Sequence, residues 1–508
     1  MDTVGSGCMS CSIPGMEDAG CIFLFGYNPA ASHPIVARRI VRAKEKGAKI
    51  IVADPRRIET SRIADIYMQI NNGCNVAFLN AFANCLVNDG LYDKDFVAEH
   101  TNGFDEWWET IKNYTPESVK DITGVEPEMI HRAAEMYATA KPSAIIGWGM
   151  GVCQQKQNLK TVHTIASIAC VAGQIGKPNS GLAPVRGQNN VQGSCDMGML
   201  PNLYPGYQKV TDPAARAKFA KAWGVPEEKL PLEEGYKLTD LGHLVDEGKV
   251  HCFYNYGEDP VQTEPDSAGM RKTLSELDLF ICQDIFMTQT TMLADVILPA
   301  TSWGEHEGVF TASDRSFQHF DAAVPPKGEC RHDWEIFADL STRMGYPMHY
   351  ENTEEIWNEC ISLCPNFVGA TYEKMAPEGG YAQWPVKTTD VDDHGTPDMF
   401  LGGKFTTKDG RANLMAHDWE APSELPDDEY PLILCTVREV GHYSCRSMTG
   451  NCKTLALLAD EPGFVRMNPA DAEARGIKNG QIVKIHSRRG AVYSRADVSD
   501  RINKGTVY

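Results

Sequence analysis

The sequence predicts an α/β protein: a pseudo-twofold pair of parallel-sheet, nucleotide-binding-like domains followed by an incomplete β-barrel domain. Three observations carry this reading. Short, wholly apolar runs alternate with helical stretches, the pattern of strands buried on both faces. One such unit recurs later in the chain with matching punctuation. After "APSELPDDEYP" (421–431) the texture changes to short β-like runs separated by turns.

The first unit is "CIFLFGYNPAASHPIVARRIVRAKEKGAKIIVADPRR", residues 21–57. An apolar strand over 21–25 enters the loop Gly26-Tyr27-Asn28-Pro29. A helix starts near Pro34, where proline suits the first turn. A second apolar strand ends at Asp54. The unit "HCFYNYGEDPVQTEPDSAGMRKTLSELDLFICQDIF", residues 251–286, repeats the plan, with Gly257-Glu258-Asp259-Pro260 after its first strand and Asp284 at the end of its second. The separation from Gly26 to Asp54 is 28 residues, and from Gly257 to Asp284 it is 27, so the two read as an internal repeat.

Neither loop is G-x-G-x-x-G, so the dinucleotide fingerprint is absent. Ligands of open parallel sheets nevertheless sit at the carboxyl ends of strands. Those ends are rich in glycine and polar groups here: GYNP, ADPRR, GWGMG (147–151), GEDP, QDIFMT and ATSW (300–303). Asp54 and Asp284 are placed to accept from a ribose or a purine, and Arg56 or Arg57 suits a phosphate because a guanidinium binds two oxygens at once.

Between the halves, 105–180 reads as largely helical, as in "PEMIHRAAEMYATA" and "LKTVHTIASIACVAGQIGK". Residues 303–330 show little periodicity and read as an excursion from the sheet. The expected domains are 1–187, then 188–302 with 333–421, an excursion over 303–332, and a β domain over 422–508.

Composition narrows the function. The chain has 508 residues and a formal charge of −20, which argues against nucleic acid as a partner. No window approaches ~18 consecutive apolar residues, so no membrane span is expected. The start, MDTVGSGCMSC, lacks the basic and apolar regions of a signal peptide. Sixteen scattered cysteines, with one CxxC at Cys8–Cys11, read as free thiols of a reducing, cytoplasmic setting. His306 lies outside any HExxH, and G-x-S-x-G is missing, so zinc protease and serine hydrolase readings fall away.

The most unusual run is "APVRGQNNVQGSCDMG", 183–198. One arginine, Arg186, is followed by the amides Gln188, Asn189, Asn190 and Gln192, which both donate and accept and suit the ring nitrogens and oxygens of a pterin-like group.

These residues, with "FGYNPAASHPIVARRI", "YGEDPVQT", "ADVILPATSWGEHEGVFTASDR" and "TVREVGHYSCRSMTGN", resemble the catalytic subunits of molybdenum-dependent formate dehydrogenases, within the dimethyl-sulfoxide-reductase superfamily. The resemblance runs from near residue 5 to Tyr508. It implies a molybdenum or tungsten bis(molybdopterin guanine dinucleotide) cofactor, formate or carbon dioxide as substrate, and an electron-transfer partner subunit or protein. It implies that Arg186 orients the substrate carboxylate and that His442, with Arg438, Glu439 and Ser444, lies against the pterin rings. Asn28, Asp54 and Arg56 would serve one dinucleotide arm, and Asp259, Thr263, Gln283 and Asp333 the other. Gln154 and Gln188 would add further contacts. Ala31 departs from an acid that relatives can carry after Asn-Pro.

The resemblance also implies features expected outside these residues: a [4Fe–4S] segment with its relay lysine, and a selenocysteine or cysteine metal ligand shortly before residue 1. No metal ligand is therefore assigned within the chain. A start downstream of an in-frame UGA is one expectation for this, and a truncated gene is another. An export signal upstream stays open, the 303–332 excursion would pack toward the iron–sulfur domain, and this chain alone is expected to be inactive. A different molybdopterin oxidoreductase, such as a nitrate reductase, is the alternative function.

Overall fold

The computed structural model describes residues 1–438, 440–459 and 462–508. Its centre is a five-stranded, all-parallel sheet in the spatial order Ile66–Met68, Lys49–Ala53, Cys21–Phe25, Ala144–Trp148, Gly181–Pro184. Cys21–Phe25 is buried at every position. Its alternate residues serve two cores: Cys21, Phe23 and Phe25 join Phe78, Phe82 and Tyr137 on one face. Ile22 and Leu24 join Ile40, Ile50, Val52 and Ile145 on the other. Phe23 stacks on Phe82 with ring centroids 5.3 Å apart, and each such ring contributes roughly 1.5–3 kcal/mol by leaving water. The strand order reverses beside Cys21–Phe25, which opens a crevice at the carboxyl ends of that strand and of Ala144–Trp148.

A second parallel sheet orders Val296–Pro299, Leu279–Asp284 and Cys252–Tyr256 over a smaller core of Leu241, Val261, Leu274, Phe280 and Cys282. The internal repeat holds down to individual hydrogen bonds. The amide of Gly26 donates to Ala53 O at 2.9 Å, and that of Gly257 to Gln283 O at 2.9 Å. Asp54 Oδ1 accepts from the Arg56 amide as Asp284 Oδ1 does from Phe286. Asp65 Oδ2 accepts from the Ile50 amide at 2.8 Å, and Asp295 Oδ2 from the Phe280 amide at 2.7 Å. The last pair lies beyond the units legible in sequence.

The helices Pro34–Glu45, Pro127–Ala138 and Asn158–Val171 fall where the sequence predicts them, and within the largely helical 105–180 stretch the strand Ala144–Trp148 runs into the GWGMG loop named as a strand end. One expectation needs correction. The segment 333–421 does not follow the second sheet as a unit. Helix Asp333–Arg343 does, with Phe337 against Tyr254 and Tyr256 at 5.6 and 5.3 Å. Farther on, Trp357, Phe367, Trp384 and Phe400 enter the core of the first sheet, and Ala412–Asn413 pairs with Thr101–Asn102. Periodicity shows that a segment is apolar, not which core will take it.

Residues 308–320, within the 303–332 excursion, leave the parallel sheets for an antiparallel one. They form an antiparallel hairpin, Gly308–Thr311 with Ser316–Phe320. Arg315 in its turn is fully buried and donates to the carbonyls of Met9, Trp384, Thr396 and Pro397.

The C-terminal unit is a mixed five-stranded sheet, half of a barrel, in the order Ile433–Leu434, Thr506–Val507, Phe464–Met467, Gly490–Val498, Ile482–Ser487. It docks on the first sheet: Arg57 N donates to Arg501 O at 2.7 Å, Arg501 pairs with Glu59 at 2.9 Å, and Arg56 lies over the Tyr508 ring at 5.4 Å.

Candidate active site

Strand Gly181–Pro184 delivers Arg186 to the carboxyl edge of the first sheet. The residue is fixed at three points. Its amide donates to Ser313 Oγ at 3.0 Å, its carbonyl accepts from His33 Nε2 at 2.6 Å, and its Nε donates to Gln192 Oε1 at 3.1 Å. Nη2 reaches Gly7 O at 3.4 Å. A carbonyl can only accept, so His33 carries its proton on Nε2. Burial holds the His33 pKa below its ordinary value, which keeps the ring neutral near pH 7.

The amide-rich loop divides its work. Gln188 and Asn189 are exposed, and Gln188 Nε2 donates to Ser444 Oγ at 3.1 Å, which ties the loop to the C-terminal segment. Asn190 adopts a left-handed conformation (φ 61°) as the N-cap of helix Val191–Asp196, and its Oδ1 accepts from the Thr311 amide at 2.9 Å. Gln192 is buried and its amide is spent on protein: Nε2 donates to Asp196 Oδ1 at 2.7 Å and to Tyr207 OH at 2.8 Å. Gln192 therefore does not present its amide to a ligand, as the sequence reading had it do, because its neighbours satisfy it completely. The same holds for the Oδ1 of Asn190.

Around the crevice, Asn28 Nδ2 donates to Glu59 Oε2 at 3.2 Å. Asp54 is buried, and desolvation pushes its carboxyl up to about 6 against the Arg56 amide that stabilises the anion. Gln154 is exposed just beyond helix Met150–Cys153. Gly26 has φ +56°, and a Cβ on Gly151 would come within 2.6 Å of Gly26 O, so the two loops meet backbone to backbone.

In the second half, Tyr254 OH donates to Gln283 Oε1 at 2.5 Å and Gln283 Nε2 donates to Asp333 Oδ1 at 2.6 Å, uniting residues 50 positions apart. Thr263 Oγ1 lies 3.1 Å from Glu258 Oε1. Asp259 is fully buried: Oδ1 accepts from Thr290 N and Oγ1, and Oδ2 from Gln262 Nε2. Its carboxylate is thus used to shape the loop. His442 is buried, with Nδ1 2.9 Å from Thr449 Oγ1. Arg438 is exposed, and Glu439 lies outside the described residues.

Residues 1–343 match the family model "Molybdopterin oxidoreductase". The chain belongs to the molybdopterin oxidoreductase family. Residues 432–508 match the "Molydopterin dinucleotide binding domain" model. This molybdopterin oxidoreductase is 55% identical over 506 residues to formate dehydrogenase H of Escherichia coli, covering 100% of this chain and 70% of the relative. It is 42% identical over 506 residues to the F420-dependent formate dehydrogenase 1 subunit alpha of Methanococcus maripaludis, covering 99% and 73%. Among solved structures, acetylene hydratase from Pelobacter acetylenicus superposes with a TM-score of 0.77 at 22% identity, covering 99% of this chain and 72% of that one, which shows a shared fold.

The cofactor of this molybdopterin oxidoreductase is a molybdenum or tungsten bis(molybdopterin guanine dinucleotide). The residues present suit such a polar, multi-ring group. Tyr27 OH, Asn28 Oδ1 and His442 Nε2 are buried side-chain atoms without a hydrogen-bond partner among the described residues, and a buried polar atom left unpaired costs about 1–3 kcal/mol. Two of the three directly follow Gly26 at the crevice, where a ligand can satisfy them.

His33, Asp196, Tyr207 and Ser313 escaped the sequence reading of the site. Only the short distance of His33 from the first strand end hinted at a role. Ser313 and Tyr207 reach the site through tertiary contacts, and Asp196 reaches Arg186 through Gln192, one turn earlier in its own helix. No helix among the described residues is long and apolar enough to cross a membrane.

Proposed function

We propose that this chain carries the formate-binding and cofactor-binding machinery of a formate dehydrogenase, which oxidises formate to carbon dioxide with release of two electrons and one proton, or runs the reverse. The observation that carries the reading is the held guanidinium of Arg186 at the carboxyl edge of the first sheet, in a chain whose net charge of −20 otherwise repels anions. A unit charge pair at ~4 Å is worth up to ~4 kcal/mol at an effective dielectric of 20, enough for one arginine to capture a small carboxylate. Gripping a carboxylate by its two oxygens suits the planar fork of a guanidinium and leaves the C–H end of formate free.

When bound, the cofactor supplies a metal centre able to accept two electrons. The protein supplies position and charge. Asn28, Asp54 and Arg56, with Gln154 and Gln188, would hold one dinucleotide arm. Gln283, Asp333 and Thr263 would hold the other on a loop shaped by Asp259. His442 would close the pocket and offer Nε2 to the cofactor, with Arg438 and Ser444 beside it. Electrons would leave to a partner subunit or protein, a role supported by the "subunit alpha" name of the archaeal relative.

The test is dye chemistry on the cofactor-loaded, full-length enzyme. Formate-driven reduction of a viologen is the expected result. Oxidation of reduced viologen by nitrate, with no response to formate, would overturn the reading.

A further inference from the structure

Arg186 is not held by Gln192 alone. Behind Gln192 lies Asp196, fully buried, one turn on in the same helix. Its carboxylate is ringed by donors: Gln192 Nε2 at 2.7 Å on Oδ1, Trp384 Nε1 at 2.9 Å on Oδ2, and the Tyr207 hydroxyl. An amide can sit either way round, but a carboxylate only accepts. Gln192 must therefore turn its NH2 toward Asp196, and its Oε1 must face Arg186 Nε. The flipped amide would set NH2 against N–H and oxygen against carboxylate, two repulsive contacts in a buried site where each is expensive.

We propose that Asp196, acting through the amide of Gln192, is a positioning residue that sets the rotation of the Arg186 guanidinium and thereby the recognition of the substrate carboxylate. The inference rests on reading Arg186 as the carboxylate-binding group. Among the described residues, the protein contacts of the guanidinium run through Nε, to Gln192 at 3.1 Å, and Nη2, to Gly7 O at a longer 3.4 Å, so the shorter contact, set by the pair Gln192–Asp196, does most to direct Nη1. Trp384 adds a consequence for assembly: the orientation of Arg186 depends on the 382–384 segment, which pairs with the 316–320 strand of the hairpin beside it.

The experiment reverses the polarity of the pair in the full-length, cofactor-loaded enzyme. Asp196→Asn offers Gln192 a donor and lets its amide flip. Gln192→Glu sets two carboxylates face to face. Gln192→Glu with Asp196→Asn restores matching: the new carboxylate accepts from Arg186 and from the new amide, whose oxygen still accepts from Trp384. Each single variant is expected to raise the formate KM by about tenfold or more, the worth of one charge-assisted hydrogen bond. The double variant should return to within about twofold of the parent, with metal content unchanged throughout. A purely structural role predicts no such rescue, so parental KM in either single variant, or a double variant no better than the singles, overturns the proposal. Should the single variants fail to fold, the double variant decides by the same KM criterion. An Arg186→Ala enzyme with parental formate kinetics would bring down the reading of the site and this inference together. Failure of the pair alone leaves the dependence on Arg186 intact.

Discussion

His33 Nε2 donates to the backbone carbonyl of Arg186 at 2.6 Å, joining the loop after the first strand of the sheet to the loop after its last. The contact crosses the point where strand order reverses, so it sets how the two loops sit about the crevice. His33→Ala leaves that carbonyl without its donor, at a cost of about 1 kcal/mol. Formate kcat/KM should fall about five- to tenfold, with most of the change in KM. Steady-state kinetics with a viologen acceptor checks this.

Arg186 itself should matter far more. Arg186→Ala is expected to lower formate kcat/KM by about 100-fold or more, because it removes the positive charge as well as the fork. Metal content, measured by elemental analysis, should remain largely intact. Arg186→Lys keeps the charge but not the planar geometry and should recover only part of the loss. Equal loss of metal and activity in the alanine variant would reassign the loop to cofactor retention.

Asp196 carries a pH signature. Burial pushes its carboxyl up to about 6, against hydrogen bonds from Gln192, Tyr207 and Trp384 and the charge of Arg186. The folded protein thus binds this proton more tightly than the unfolded chain, whose ordinary carboxyl titrates near 3.8. The sign follows from linkage: the stabilising contribution of the protonated group is complete below about 4 and is lost as pH rises to about 6. Asp196→Asn lacks that loss. Its melting temperature minus that of the parent should climb between about pH 4 and 6 and level off above. Thermal scans across that range test it, and a flat difference would refute it.

Arg315 holds the hairpin beside Arg186 by donating to four main-chain carbonyls from a fully buried position. Arg315→Leu leaves those carbonyls without donors and should destabilise the protein by about 3–5 kcal/mol. Arg315→Lys, with fewer donors and no fork, should recover less than half of that. The thermal midpoint reports both, and the alteration should reach formate kinetics through Ser313, which accepts from the Arg186 amide.

Much of this protein was legible in one dimension. Short apolar runs bounded by glycine and proline turns, such as Cys21–Phe25, read as strands covered on both sides, and a proline at position 34 or 260 marks a helix start by its fixed φ. The repeat was legible because the same backbone problem, a tight turn after a strand of a parallel sheet, was solved twice with glycine and proline, although Cys21–Phe25 is buried throughout and Cys252–Tyr256 only at Asn255. Even Arg186 stood out by its company. Tertiary structure alone decided which donor meets which acceptor. Gln192 looked like a ligand contact until Asp196 and Tyr207 were seen to take its amide, and Asp259 looked free until Thr290 and Gln262 closed on it. Local sequence encodes backbone conformation and apolar burial, which depend on near neighbours. The pairing of buried polar groups also draws on residues far apart along the chain, such as Asp196 and Trp384, 188 positions apart and 2.9 Å apart in space, and no spacing rule along the chain contains that contact.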